Sequence, residues 1–128
     1  MPTVPWITRE SPTEGTQYLA LISHLPLRNF RALPKFFRFT FETRRQLQTA
    51  PGLIGYSLEA KPFARKFWTL SVWRDEQSLR AFVGNQPHSR IMQVLAPHMD
   101  KTQFAQWTVE WRQIPLDWKT AKARLTKS

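Results

Sequence analysis

The chain has 128 residues, no cysteine, and nineteen basic against nine acidic residues, for a net charge of +10. That length suits one domain with a single core and leaves little room for a second. Without cysteine there is no disulfide, no thiolate nucleophile and no Cys-ligated metal, while 41% hydrophobic residues with six Trp and nine Phe set the chain apart from disordered sequences.

The first fifteen residues carry Pro2, Pro5 and Pro12 among few apolar side chains, so an extended arm is expected, pinned by Trp6. Gln17 to Leu25 is a nearly continuous apolar run, the pattern of a central strand covered on both faces. A loop from Pro26 to Pro34 leads into a helix over Leu33–Thr49. Its buried stripe is read as Leu33, Phe36, Phe37, Phe41 and Leu47, and Ala50-Pro51-Gly52 ends it. Leu53–Ala60 and Lys66–Trp73 are rich in β-branched and aromatic residues and are separated by a polar, proline-bearing turn, which makes them a hairpin. Asp75 and Glu76 then stand where a helix N-terminus favours negative charge, with Leu79, Phe82 and Val83 at helical spacing.

Gly84 to Pro87 breaks that helix, and Ile91, Met92, Val94 and Leu95 mark another turn or two before Pro97. Thr102–Trp111 alternates Ala105, Trp107, Val109 and Trp111 with more polar neighbours, as a strand does. Beyond Pro115 a short basic helix capped by Asp117 is expected. The order β-α-β-β-α-β defines an α+β, ferredoxin-like sandwich. It divides the chain into an arm (1–15), a barrel-forming domain (16–113) and a basic tail (114–128). Trp68, Leu70 and Val72 face one side of the third strand while Phe67 and Trp73 face the other. An open face with such residues would be a large apolar patch, so a homodimer packed sheet on sheet is expected.

The basic residues are scattered until they thicken at Lys119, Lys122, Arg124 and Lys127. No nucleic-acid motif accompanies them, which favours a solvated basic surface over a nucleic-acid partner. No segment approaches the roughly 20 apolar residues of a membrane span. The start of the chain lacks a basic segment followed by an apolar run, and the expectation is a soluble, cytoplasmic protein.

Three stretches carry a resemblance to a known superfamily: Ala50-Pro-Gly-Leu-Ile-Gly-Tyr56, Phe67-Trp-Thr-Leu-Ser-Val-Trp73 and Asp75-Glu-Gln-Ser-Leu-Arg-Ala-Phe82. Over about residues 16–111 the chain resembles the dimeric α/β-barrel proteins that include the antibiotic-biosynthesis-type monooxygenases. Ala81-Phe82 followed by Pro87-His88 looks most like the branch of haem-dependent spheroidene-type monooxygenases and uncharacterised relatives. Haem-degrading members carry a Trp on the second helix and an iron-ligating His about ten residues on. Phe82 and Met92 stand there in this sequence, which speaks against that role.

The resemblance implies oxidation of a small hydrophobic molecule, cofactor-free or with haem; the same fold also hosts non-catalytic ligand-binding or interaction modules. His88 is the first candidate catalytic group: it begins the stripe His88, Ile91, Met92, Leu95, where an imidazole could ligate haem iron, transfer a proton or simply bond to backbone. His24, at the end of the first strand, is the second, near where the superfamily often places a polar residue reaching the ligand. His98, near a helix C-terminus, reads as structural. Substrate contact falls to Trp68, Trp73, Phe82, Met92 and Trp107, residues that core and interface packing would use equally well. No phosphate loop, Ser-His-Asp order or zinc spacing is present.

Overall fold

A computed structural model of the chain describes residues 4–84 and 88–127, the side chains of residues 88, 89, 126 and 127 excepted. Five strands and four helices follow one another as β1 (Val4–Thr8), β2 (Gln17–His24), α1 (Leu33–Leu47), β3 (Leu53–Lys61), β4 (Lys66–Trp73), α2 (Glu76–Gly84), α3 (His88–Leu95), β5 (Gln103–Glu110) and α4 (Trp118–Lys127). The strands form one antiparallel sheet in the order β1-β3-β4-β2-β5. This is the expected α+β, ferredoxin-like sandwich with two additions. The arm supplies an edge strand, β1, and the tail supplies α4.

Alternation along the central strands sends two sets of side chains in opposite directions. Phe67 and Trp73 of β4 join Phe36, Leu47, Leu79, Phe82, Ile91 and Leu95 beneath α1, α2 and α3. Ala20 and Ile22 of β2 and Leu70 and Val72 of β4, all fully buried, face the other way, toward Trp6, Leu116, Ala121 and Leu125. The second face is therefore covered by the chain itself, through Trp6, the 111–118 segment and α4, where a second subunit was expected to cover it. The covering is thin: Trp6, Trp68, Trp107, Trp111 and Trp118 are each only partly buried.

Two glycines set the junctions. Gly52 takes a left-handed φ of +81° to turn α1 into β3, and a Cβ there would run into the Ser78 side chain. In β3 the register shifts between Leu53 and Gly55, and a Cβ on Gly55 would stand 2.5 Å from the Trp6 ring. That approach seats the arm on the sheet.

The stripe that α1 buries differs from the expected one. Phe36 and Leu47 are buried, but Phe41 is 63% exposed and Phe37 lies at the surface, while Phe39, Thr40, Thr43 and Arg44 turn inward. Aromatic residues at 36, 37, 39 and 41 occupy every side of the helix, so hydrophobicity alone fits several stripes. Thr40 satisfies its hydroxyl on the helix itself, donating to the Phe36 carbonyl at 2.9 Å, and so turns its methyl inward cheaply.

Candidate binding cavity

Between the helices and the sheet lies a cavity of about 810 Å³, within the size range of small-molecule sites. Register explains its floor. One row crosses the sheet as Leu58, Thr69, Ser23 and Phe104, and the next as Tyr56, Ser71, Leu21 and Gln106, in both cases from β3 through β4 and β2 to β5. The roof comes from α1 with Phe36, Thr40, Thr43 and Arg44, from α2 with Leu79, Phe82 and Val83, and from α3 with Ile91, Met92 and Leu95. Met92 and Phe104, each about half exposed at 47% and 49%, mark where the cavity meets solvent.

Trp73 forms an aromatic wall with Phe82, their ring centroids 5.2 Å apart and tilted by 41°. The indole Nε1 donates to the Ser71 hydroxyl at 2.9 Å, which fixes the Trp73 ring. One band of polar side chains crosses the cavity, Ser23, Thr69 and Ser71 below and Thr43 and Arg44 above, while the exposed Glu76, Arg80, Asp100 and Gln106 also border the space. A smaller hollow of about 190 Å³, bounded by Phe36, Phe37, Phe41 and Trp68, shares Thr40, Arg44, Leu58 and Thr69 with the larger one. Arg44 thus stands in the wall common to both.

Three of the expected binding residues, Trp73, Phe82 and Met92, come together at the main cavity. Trp107 and Trp68 belong to the opposite face, under α4, with Trp68 also bordering the smaller hollow. His24 is on that opposite face too. Its ring stacks on Trp68 with centroids 4.8 Å apart, and its Nδ1 is buried without a hydrogen-bond partner. Burial pushes the imidazole below its ordinary pKa, the Phe67 backbone opposes the shift, and the charges of Lys66 and Lys122 add to it. His88 is the first residue of α3, and its side chain lies outside the described residues. The described lining offers a haem iron no imidazole, so an imidazole ligand in this cavity would have to come from His88.

Sequence reasoning passed over Arg44 and the hydroxyl band. A signal existed: Phe36, Thr40 and Arg44 follow at steps of four and end near Leu47, the inward face of α1. In β4, Thr69 and Ser71 share parity with Trp73.

Among the described residues no helix is long and apolar enough to cross a membrane, and no cluster of His, Asp or Glu could hold a metal ion. No protein-family profile and no curated protein sequence matches the chain. Solved structures do resemble it. A dimeric ferredoxin-like protein of unknown function from Thermobifida fusca is 13% identical with a TM-score of 0.63, over 78% of this chain and 98% of that one. SnoaB, a cofactor-independent oxygenase from Streptomyces nogalater, is 13% identical with a TM-score of 0.62, over 79% and 100%. An antibiotic biosynthesis monooxygenase is 14% identical with a TM-score of 0.63, over 70% and 95%. At such identities the likeness defines the fold: a ferredoxin-like sandwich of the kind found in antibiotic-biosynthesis-type monooxygenases.

Proposed function

We propose that this protein is a small oxygenase-type enzyme that oxidises a hydrophobic substrate held between the sheet and α1–α3. The observation that carries the reading is the cavity itself: an apolar enclosure of about 810 Å³ with a fixed aromatic wall and one polar band, on a fold shared with monooxygenases. Phe104 and Met92, each about half exposed, would meet a flat or polyene body, with Trp73 and Phe82 packed behind them as a rigid wall. His88, heading the helix that closes one side of the cavity, is the candidate for proton transfer in a cofactor-free reaction or for holding haem iron in a haem-assisted one. His24, stacked beneath α4, is assigned a role in seating that helix rather than in contacting substrate.

A homodimer is part of the proposal. Its support is the assembly named for the Thermobifida protein and the run of half-buried tryptophans around α4, an aromatic surface suited to a second copy. The described lining contains no histidine, which gives a second reading its footing: a dimeric module that binds a hydrophobic ligand without converting it.

The test is a haem titration of wild-type and His88→Ala protein followed at the Soret band, paired with oxygen uptake on electron-rich hydroxyaromatic compounds. Stoichiometric haem binding that needs His88, or oxygen uptake without haem that falls on changing His88, upholds an oxygenase. Neither signal, in a protein that still binds apolar ligands in the cavity, selects the binding module.

A further inference from the structure

Two arginines line the cavity, and while Arg80 is paired with Glu76, Arg44 is not paired. Its Nε is buried and has no hydrogen-bond partner, and no ion pair reaches it among the described residues. Three carboxylates border the two hollows, and none of them pairs with Arg44. Glu76 accepts from Arg80 at 2.6 Å, Asp100 accepts from the Lys101 N–H at 2.9 Å, and Glu59 pairs with Lys122. A guanidinium with a buried donor left open is costly unless something meets it. Proximity to the C-terminal end of α1 does not account for it, because a helix dipole asks only for nearby positive charge, which exposed Arg45 supplies without burying a donor.

The surroundings define what would meet it. Thr43 lies on the same inward face of α1, and Thr69 and Ser71 stand on the sheet below, so hydroxyl groups gather in the zone that Arg44 borders. Most of the remaining lining is aliphatic, methionine and aromatic surface, with Glu76 and Arg80, paired to each other, and Asp100, Thr102 and Gln106 among it. A guanidinium presents a planar fork of donors that matches two oxygens sharing a charge.

We propose that the cavity selects amphipathic carboxylates, an apolar body bearing one carboxylate head, and that Arg44 receives the head while the apolar lining, open at Met92 and Phe104, receives the body. This rests on the cavity being the ligand site of the proposed function and names the class of molecule it takes. Arg44 is a binding and orienting residue: it fixes which end of the ligand lies under α1 and which end lies against the apolar lining.

The experiment is calorimetric titration of the full chain with two matched pairs, decanoate against decanol and naphthalene-2-carboxylate against naphthalene-2-methanol. Wild type, Arg44→Gln and Arg45→Gln are compared. Wild type should bind one carboxylate per chain about tenfold or more tightly than the matching alcohol, a preference that Arg44→Gln removes and Arg45→Gln keeps. A preference in one pair alone identifies the body as alkyl or aryl and upholds the proposal. Alcohol and acid bound equally by wild type, or a preference that survives Arg44→Gln, overturns the role of Arg44 while the cavity stands. Neither member of either pair binding overturns the cavity as a ligand site, and the proposed function with it.

Discussion

Single side chains carry two different pH signatures. Asp75 accepts from the Ser78 N–H at 2.8 Å, and Asp117 accepts from the Thr120 N–H at 3.0 Å and its hydroxyl at 2.8 Å, so each caps a helix. Those bonds lower both carboxyl pKa values, the Ser78 and Thr120 side chains acting most strongly. Their contribution is complete above the ordinary carboxyl range and is lost as pH falls through the depressed values. Asp75→Ala and Asp117→Ala should each lower the melting temperature by a few degrees at neutral pH and flatten the acid limb of a melting curve series. His24 acts at milder pH. Its lowered pKa means that the unfolded chain takes up a proton first, so stability should fall as pH drops below about 6.5. His24→Phe preserves the stack on Trp68 and should melt at the same temperature at pH ~8 and ~5.5, a comparison that checks the buried neutral imidazole.

At the level of elements, α4 is tied down by more than its apolar side. Trp118 donates through Nε1 to the Ser57 hydroxyl at 3.1 Å, and Ser57 donates on to the Val4 carbonyl at 2.7 Å, so helix, sheet and arm share one chain of bonds. Lys122 pairs with Glu59 and lies 4.2 Å from the centroid of the Trp68 ring, and Arg124 lies 5.3 Å from that of Trp107. Much of the basic tail is therefore spent on indole surface. Removing residues 118–128 should uncover Trp68, Trp107 and Ile22 and drive self-association, visible as a concentration-dependent sedimentation coefficient. Legibility differs between elements for physical reasons. The hairpin was readable because β3 and β4 combine strand formers with a turn that interrupts them, and α2 because its acidic start is a cap. β1 was not, because Pro5 argues against a strand except at an edge, and β1 is an edge strand paired with β3 alone. The covering of the second face was missed because its parts, Trp6, Ile114, Leu116 and Trp118, are spread through proline-bearing segments with no periodicity to join them.

For the molecule as a whole, the sheet divides stability from recognition. The α4 face holds the fully buried Ile22, Leu70 and Val72, and truncating one of them, Leu70→Ala, should cost about 2–5 kcal/mol in denaturant unfolding. The helical face encloses space. Thr43→Trp, directed into that space, should leave the unfolding free energy within about 1 kcal/mol of wild type while abolishing ligand binding; binding that survives would put the ligand elsewhere. In light scattering the native chain should weigh twice its 15.1 kDa, and a monomer would remove the dimer from the proposed function. The residues that carry the fold, on β3, β4 and α2, were visible in the sequence because packing repeats with the period of each element. For the polar band at Arg44 the sequence shows each half, the steps of four in α1 and the parity of β4, but their meeting depends on α1 being laid across two rows of the sheet.

The placement of the indoles also makes the protein its own optical instrument. Trp73 alone stands in the cavity wall, 1% exposed, while the other five crowd the α4 face in partial contact with water. Blue-edge emission therefore belongs to Trp73 and should respond to whatever enters the cavity, whereas red-edge emission should track the docking of α4. A single fluorescence spectrum separates a molecule arriving on one side of the sheet from a helix leaving the other.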